Sequence, residues 1–174
     1  MIRSFEARDG RNLDTLVGGE IDSTLALVCH HGTPSDATIW SDWNEIALEN
    51  GLSLVSISRP GYGLSDRRKD RSVSNVAEDV EDVLDALGIE EFLTVGWSGG
   101  GPHALACGAL LPNRCRAVSS LAGVGPSGSP IWISSRVWGL RMLKNLDSHW
   151  GEKPLYENGW RKMLLPTGQS TATS

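Results

Sequence analysis

Apolar and polar positions change rhythm several times along the chain, and each change predicts an element. Residues 2–8 and 13–17 alternate, which predicts two strands about the turn Asp9-Gly10-Arg11-Asn12. Leu25-Ala26-Leu27-Val28-Cys29 is a continuous apolar run, the pattern of a strand buried on both faces. Further strands are predicted at 52–57, at the start of 91–111, and over 115–121. Between them the period lengthens. Trp40, Trp43, Ile46 and Ala47 predict a helix over 40–49, stopped by Gly51. Val73, Val76, Val80, Val83, Leu84 and Leu87 form one stripe of a helix over 73–87. Glu78, Asp79, Glu81, Asp82 and Asp85 fall off that stripe and are expected on a solvated face that binds no metal. Asn75 with Glu78 predicts a capping box, and Gly88 closes the far end.

Two strands followed by alternating strands and helices predict the α/β class: a mostly parallel sheet flanked by helices. The Gly-rich loops at 32–34, 59–66 and 96–101 each follow a strand, so all three are expected at one edge of the sheet, around one site. From about residue 126 the character changes, and four of the seven Trp fall between 132 and 160. Short amphipathic helices are predicted over 131–146 and 156–165, and the polar stretch 166–174 is predicted to be disordered.

Composition narrows the function. The net charge of −5 leaves no electrostatic footprint for nucleic acid. Arg67, Arg68, Lys69 and Arg71 do gather, but Asp66 and Asp70 interrupt them, and the stretch reads as a solvated loop. Cys29, Cys107 and Cys115 are scattered among apolar segments and read as buried free thiols of a reducing compartment. With no signal-peptide pattern and no long apolar run, the expectation is a cytoplasmic protein without a membrane partner.

The candidate chemistry sits at Gly96-Trp97-Ser98-Gly99-Gly100, between a predicted strand and a predicted helix. A Gly-x-Ser-x-Gly match alone arises by chance roughly once in four chains of this composition. Its context matches a nucleophile elbow, a turn so tight that the serine is pushed out at the sheet edge. The same stretch, as Gly99-Gly100-Gly101-Pro102-His103-Ala104, also fits a dinucleotide fingerprint. That reading fails for want of an acidic residue about 20 positions on, where a ribose hydroxyl requires one, and no cofactor is expected.

Three loops in this order carry a resemblance: His31-Gly32-Thr33-Pro34, Arg59-Pro60-Gly61-Tyr62-Gly63-Leu64-Ser65-Asp66, and Gly96-Trp97-Ser98-Gly99-Gly100. Over residues 1–125 the chain resembles the α/β-hydrolase superfamily, in its esterase and aminopeptidase-like branch. The resemblance implies that Ser98 is the nucleophile attacking an acyl carbon of a small-molecule substrate, with the backbone N–H groups of Thr33 and Gly99 as oxyanion hole. It implies structural loop roles for His31, Gly32, Gly96 and Gly100. Residues 126–165 would begin a helical cap.

The chain also departs from the family pattern. An acid and a histidine should follow the serine in that order, yet no acid follows Leu121 closely and no seventh or eighth strand is predicted. His30, His31 and His103 are expected to support loops and packing. His149 alone follows in the right order, and Asp147 is its nearest acid. The expectation is therefore a truncated member with about six strands, its hydrolase activity impaired, and strand 115–121 left as an open edge for self-association. A non-catalytic small-molecule binder on the same fold is the alternative.

Overall fold

In the computed structural model, residues 1–125 and the strand Arg141–Lys144 are described. Strands β1 (Ile2–Glu6) and β2 (Asn12–Gly19) form a hairpin. The remaining strands are β3 (Leu25–His30), β4 (Ser53–Ile57), β5 (Glu91–Trp97), β6 (Cys115–Leu121) and β7 (Arg141–Lys144). The helices are α1 (Asn44–Glu49), α2 (Val76–Ala86) and α3 (Gly101–Leu110), with 3-10 turns leading into α1 and α3. One mixed sheet runs β1-β2-β4-β3-β5-β6-β7. Its centre, β4-β3-β5-β6, is parallel, so the loops leaving these four strands share one edge.

The apolar runs are continuous because successive residues serve opposite faces. Ala26, Val28, Val55, Ile57 and Phe92 join one core with Val80, Val83 and Leu84 of α2 and Ala104 and Cys107 of α3. Cys29, Leu54 and Val95 join the other core, with Ala37, Trp40 and Ala47 around α1. The chain that leaves β3 therefore packs on one face and the helix that leaves β5 on the opposite face. In parallel sheets, such a divergence between neighbouring strands opens a crevice for ligands. All three cysteines are buried and free, and burial pushes the Cys115 thiol up to about 12.

Three expectations change. The acidic side of α2 is only partly a solvated face: Glu78 and Asp85 are exposed at their side chains, but Asp79 is not. Asp79 is buried and 2.5 Å from Arg11, while Glu78 holds Arg68, Glu81 and Asp82 hold Arg8, and Asp85 holds Arg114. The arginines arrive from the β1–β2 turn and from loops distant in sequence, so periodicity within α2 carries no trace of them. Nor does Asn75 build a capping box: its side chain instead accepts hydrogen bonds from the backbone and hydroxyl of Ser72, at 2.8 and 3.0 Å.

The third change concerns the sheet edge. Arg141–Lys144 pairs antiparallel with Ala117–Ser120, so β6 is not the open edge predicted for 115–121. These four residues are strand where a helix over 131–146 was predicted. A short apolar run fits either period, and the unpaired N–H and C=O groups of β6 favour the strand. The predicted cap and tail otherwise lie outside the described residues. No helix among those described is long and apolar enough to cross a membrane.

Removing one partner of a buried ion pair leaves an uncompensated charge. Asp79→Ala is expected to lower stability by about 3 kcal/mol in urea unfolding. Glu91→Gln, which breaks a pair with the exposed Arg116, is expected to leave the midpoint unchanged.

Candidate active site

Ser98 occupies the turn between β5 and α3, at the strand edge where β3 and β5 diverge. Its φ is +52°, a left-handed conformation that costs a side-chain-bearing residue on the order of 1–2 kcal/mol. The neighbours leave no alternative. A Cβ on Gly96 would overlap the Gly100 carbonyl, and one on Gly100 would overlap the carbonyl of His30. The backbone is thus pressed against itself and against the end of β3, and Ser98, half-buried, projects from the apex. The N-terminus of α3, with Pro102 in its first turn, lies directly behind and carries the positive end of the helix dipole. From the far side, Val124 N–H donates to the Ser98 carbonyl at 3.3 Å.

The loop after β3 lies against this turn. A Cβ on Gly32 would be 2.8 Å from the Trp97 indole and 3.4 Å from the Ser98 Cβ. One on Gly99 would be 2.9 Å from Thr33 Oγ1 and 3.6 Å from Thr33 N. Residues 32–33 and 98–99, remote in sequence, are therefore in contact.

What aims the Gly32–Thr33 peptide is visible in its hydrogen bonds. The Gly32 carbonyl accepts from His31 Nδ1 at 2.8 Å, Ser35 Oγ at 3.0 Å and Arg59 Nη2 at 3.1 Å. In a trans peptide the N–H points opposite to the C=O, so three donors on the Gly32 oxygen fix the direction of the Thr33 N–H. Arg59 also donates to the carbonyl of His31 and, at 3.0 Å, to Thr33 Oγ1. Arg59 is buried at 4 % exposure with no carboxylate within 4 Å of its guanidinium among the described residues. Burial lowers its pKa, and the ring of Tyr62 faces it at 5.1 Å.

Sequence reasoning gave Arg59 and Tyr62 no role. The available signal was an arginine directly before Pro60-Gly61, at the end of an apolar strand. Tyr62 packs edge-on against His31 at 5.1 Å, and its phenol is held below its ordinary pKa, chiefly by the Thr33 hydroxyl.

The histidines are committed elsewhere. His31 Nε2 accepts the Arg59 backbone N–H at 2.9 Å, so the ring is the neutral Nδ1–H tautomer that donates to Gly32. Burial and the Arg59 charge keep it neutral down to about pH 4. His30 is buried beside Cys107 Sγ at 3.7 Å, and desolvation holds it well below its ordinary pKa. His103 bonds the Gly99 carbonyl through Nδ1 at 2.9 Å and is likewise lowered to about 4, by burial first. Among the described residues no hydrogen bond joins a histidine to Ser98, and no group of three potential ligands converges on a metal site. Asp147 and His149 lie outside the described residues.

The model of the alpha/beta hydrolase fold family matches residues 26–170. The chain belongs to that family. It is 30% identical over 125 residues to 3-oxoadipate enol-lactonase 1 of Acinetobacter baylyi, a match covering 72% of this chain and 45% of that one. It is 32% identical over 111 residues to epoxide hydrolase B of Mycobacterium tuberculosis, covering 60% and 31%. An esterase of Rhodococcus sp. superposes with a TM-score of 0.60 at 26% identity, over 71% of this chain and 46% of that one. This α/β-hydrolase chain spans less than half the length of the curated relatives it matches.

The buried histidines set a pH dependence. Unfolded, His31 and His103 take up a proton near pH 6.5; folded, they stay neutral to about pH 4. Between these limits the unfolded chain binds more protons. Stability is therefore full above about pH 6.5 and falls as pH drops towards 4, and His30, held lower still by burial, carries the same sign further into acid. The slope is at most about 1.4 kcal/mol per pH unit for each histidine. Asp79, raised by burial, acts with the opposite sign at the acid end. Urea unfolding between pH 7.5 and 4.5 checks this, and His31→Asn is expected to flatten the slope.

Proposed function

We propose that the chain carries the nucleophile half of a serine hydrolase acting on acyl bonds of the ester or lactone type. One observation carries this reading: Ser98 is held at φ +52° on a turn with no room for alternatives, and the Gly32–Thr33 peptide is set against it. In the proposed reaction Ser98 Oγ attacks the acyl carbon and forms an acyl-enzyme while the alcohol or enol leaves. The Thr33 and Gly99 N–H groups take the developing oxyanion, with the α3 N-terminus behind them. A serine favours acyl transfer. Epoxide opening through an alkyl-enzyme ester calls for a carboxylate at this position, so this chemistry differs from that named for the mycobacterial relative.

Arg59 is a positioning residue in this reading. It holds the carbonyls on the far side of the oxyanion loop and places a full positive charge, unopposed by any carboxylate among the described residues, just behind it. The base that takes the Ser98 proton is not His30, His31 or His103, whose rings are committed to other partners. Within the sequence, His149 with Asp147 is the pair in the required order.

Fluorophosphonate labelling tests the assignment. The chain is expected to label slowly, at one site, and Ser98→Ala to abolish labelling. Arg59→Met is expected to slow it by about 10²-fold, comparable to losing one oxyanion donor, with circular dichroism unchanged. Turnover of p-nitrophenyl esters is expected to be slow. Absence of labelling, with bound small esters still detectable, would favour a non-catalytic binder.

A further inference from the structure

The basic residues between 67 and 71 lie on an exposed loop, as expected, and there they line an open concavity. Its volume is about 530 Å³, and Tyr62, Arg67, Arg68, Lys69 and Arg71 line it over the Pro60–Gly61 backbone. That size suits a small organic molecule. Among the described residues no carboxylate lines it. Arg68 is partly neutralised by Glu78 at 2.8 Å, but Arg67, Lys69 and Arg71 have no carboxylate within 4 Å among the described residues. The two acids that interrupt the run in sequence do not interrupt it in space: Asp66 turns away to accept the Asn12 N–H at 2.8 Å, and Asp70 is not in the lining.

Such a concentration of cations is notable in a chain of net charge −5. Three unpaired cations around one concavity repel each other and focus a positive potential into it, so an anion is the ligand that relieves the arrangement. Arg71 is already anchored: it donates to the Pro60 carbonyl at 2.5 Å and stacks over Tyr62 at 5.4 Å. An anchored guanidinium loses less entropy when it meets a carboxylate in its fork.

The cavity adjoins the candidate site. Tyr62 forms its wall and is also in reach of the Thr33 hydroxyl, which lies against Gly99 beside Ser98. One side chain separates the cations from the loop that meets the Ser98 turn.

We propose that this cavity is a subsite of the Ser98 centre that receives the negatively charged end of the substrate, so that the preferred ester or lactone carries a carboxylate as its second group. The proposal rests on the serine hydrolase reading above, and its test is separable from that reading because it measures binding.

Isothermal titration of the full chain with monomethyl glutarate, dimethyl glutarate and inorganic phosphate decides it. The monoester and diester share a skeleton and differ by one charge. The monoester is expected to bind at least about tenfold more tightly than the diester, as a charge-assisted contact implies, and more tightly than phosphate. Bound monoester is also expected to slow labelling of Ser98 by a neutral fluorophosphonate. Arg67→Gln/Lys69→Gln, two exposed side chains, should remove most of the preference. Equal affinity for monoester and diester would overturn the proposal. So would a preference that survives the double substitution, or phosphate binding as tightly as the monoester, which would mark a general anion site. If the preference fails while the neutral probe still labels Ser98, only the subsite falls. If labelling fails while the preference holds, the cavity is an anion site and the hydrolase reading falls with its subsite role.

Discussion

Backbone crowding between the end of β3 and the turn after β5 is the constraint on which the candidate site depends. Gly96, Gly100 and the carbonyl of His30 meet with no space for a side chain. This contact excludes relaxed conformations for the residue between the glycines, and Ser98 takes a left-handed φ as a result. The strain is local, while its support is global. β3 and β5 are paired from Leu25↔Glu91 to His30↔Gly96, and both faces of that pair are covered by apolar cores. A strained turn persists where the surrounding packing over-determines it.

Around that turn the electrostatics are arranged by one buried cation. Among the described residues Arg59 has carbonyl and hydroxyl oxygens for partners and no carboxylate. Burial, with the Arg59 charge second, keeps His31 and His103 neutral. Neutral His31 can then accept the Arg59 backbone N–H, which a protonated ring cannot do. The guanidinium and the imidazole thus sustain each other's states, and together they orient the Gly32–Thr33 peptide. The site so formed has positive character on one side through Arg59 and on another through the α3 N-terminus.

The arginines elsewhere do a different job. Arg8, Arg11, Arg68 and Arg114 each reach an acid of α2 from another part of the chain. Most of these pairs are too exposed to contribute much stability. Arg11 with Asp79 is the buried one, and even there Arg11 Nη1 and Asp79 Oδ2 lack hydrogen-bond partners. Its value lies more in fixing how the β1–β2 turn sits on α2 than in net free energy.

The sequence by itself determined most of the elements and the position of the candidate serine. Period-two and continuous apolar runs placed β1 to β6 to within a few residues, because strands buried on two faces leave no polar interruptions. The glycines around Ser98 announced a turn in which no side chain fits. Three strand–loop junctions in order were enough to tie residues 31–34, 59–66 and 96–101 to one edge. What the tertiary structure decided is everything that depends on a partner from elsewhere in the chain. Asp79 reads as surface until Arg11 covers it, and residues 141–144 read as helix until the edge of β6 offers them hydrogen bonds. Arg59 reads as an ordinary loop arginine until burial strips it of water and directs it onto the carbonyls of residues 31 and 32. The cations at 67–71 look interrupted in one dimension because Asp66 and Asp70 alternate with them, and converge in three because Asp66 is taken up by β2 and Asp70 stays out of the lining. Local pattern reports which face a residue prefers, whereas the charge state and orientation of a buried polar group are set by neighbours that only folding brings within hydrogen-bonding distance.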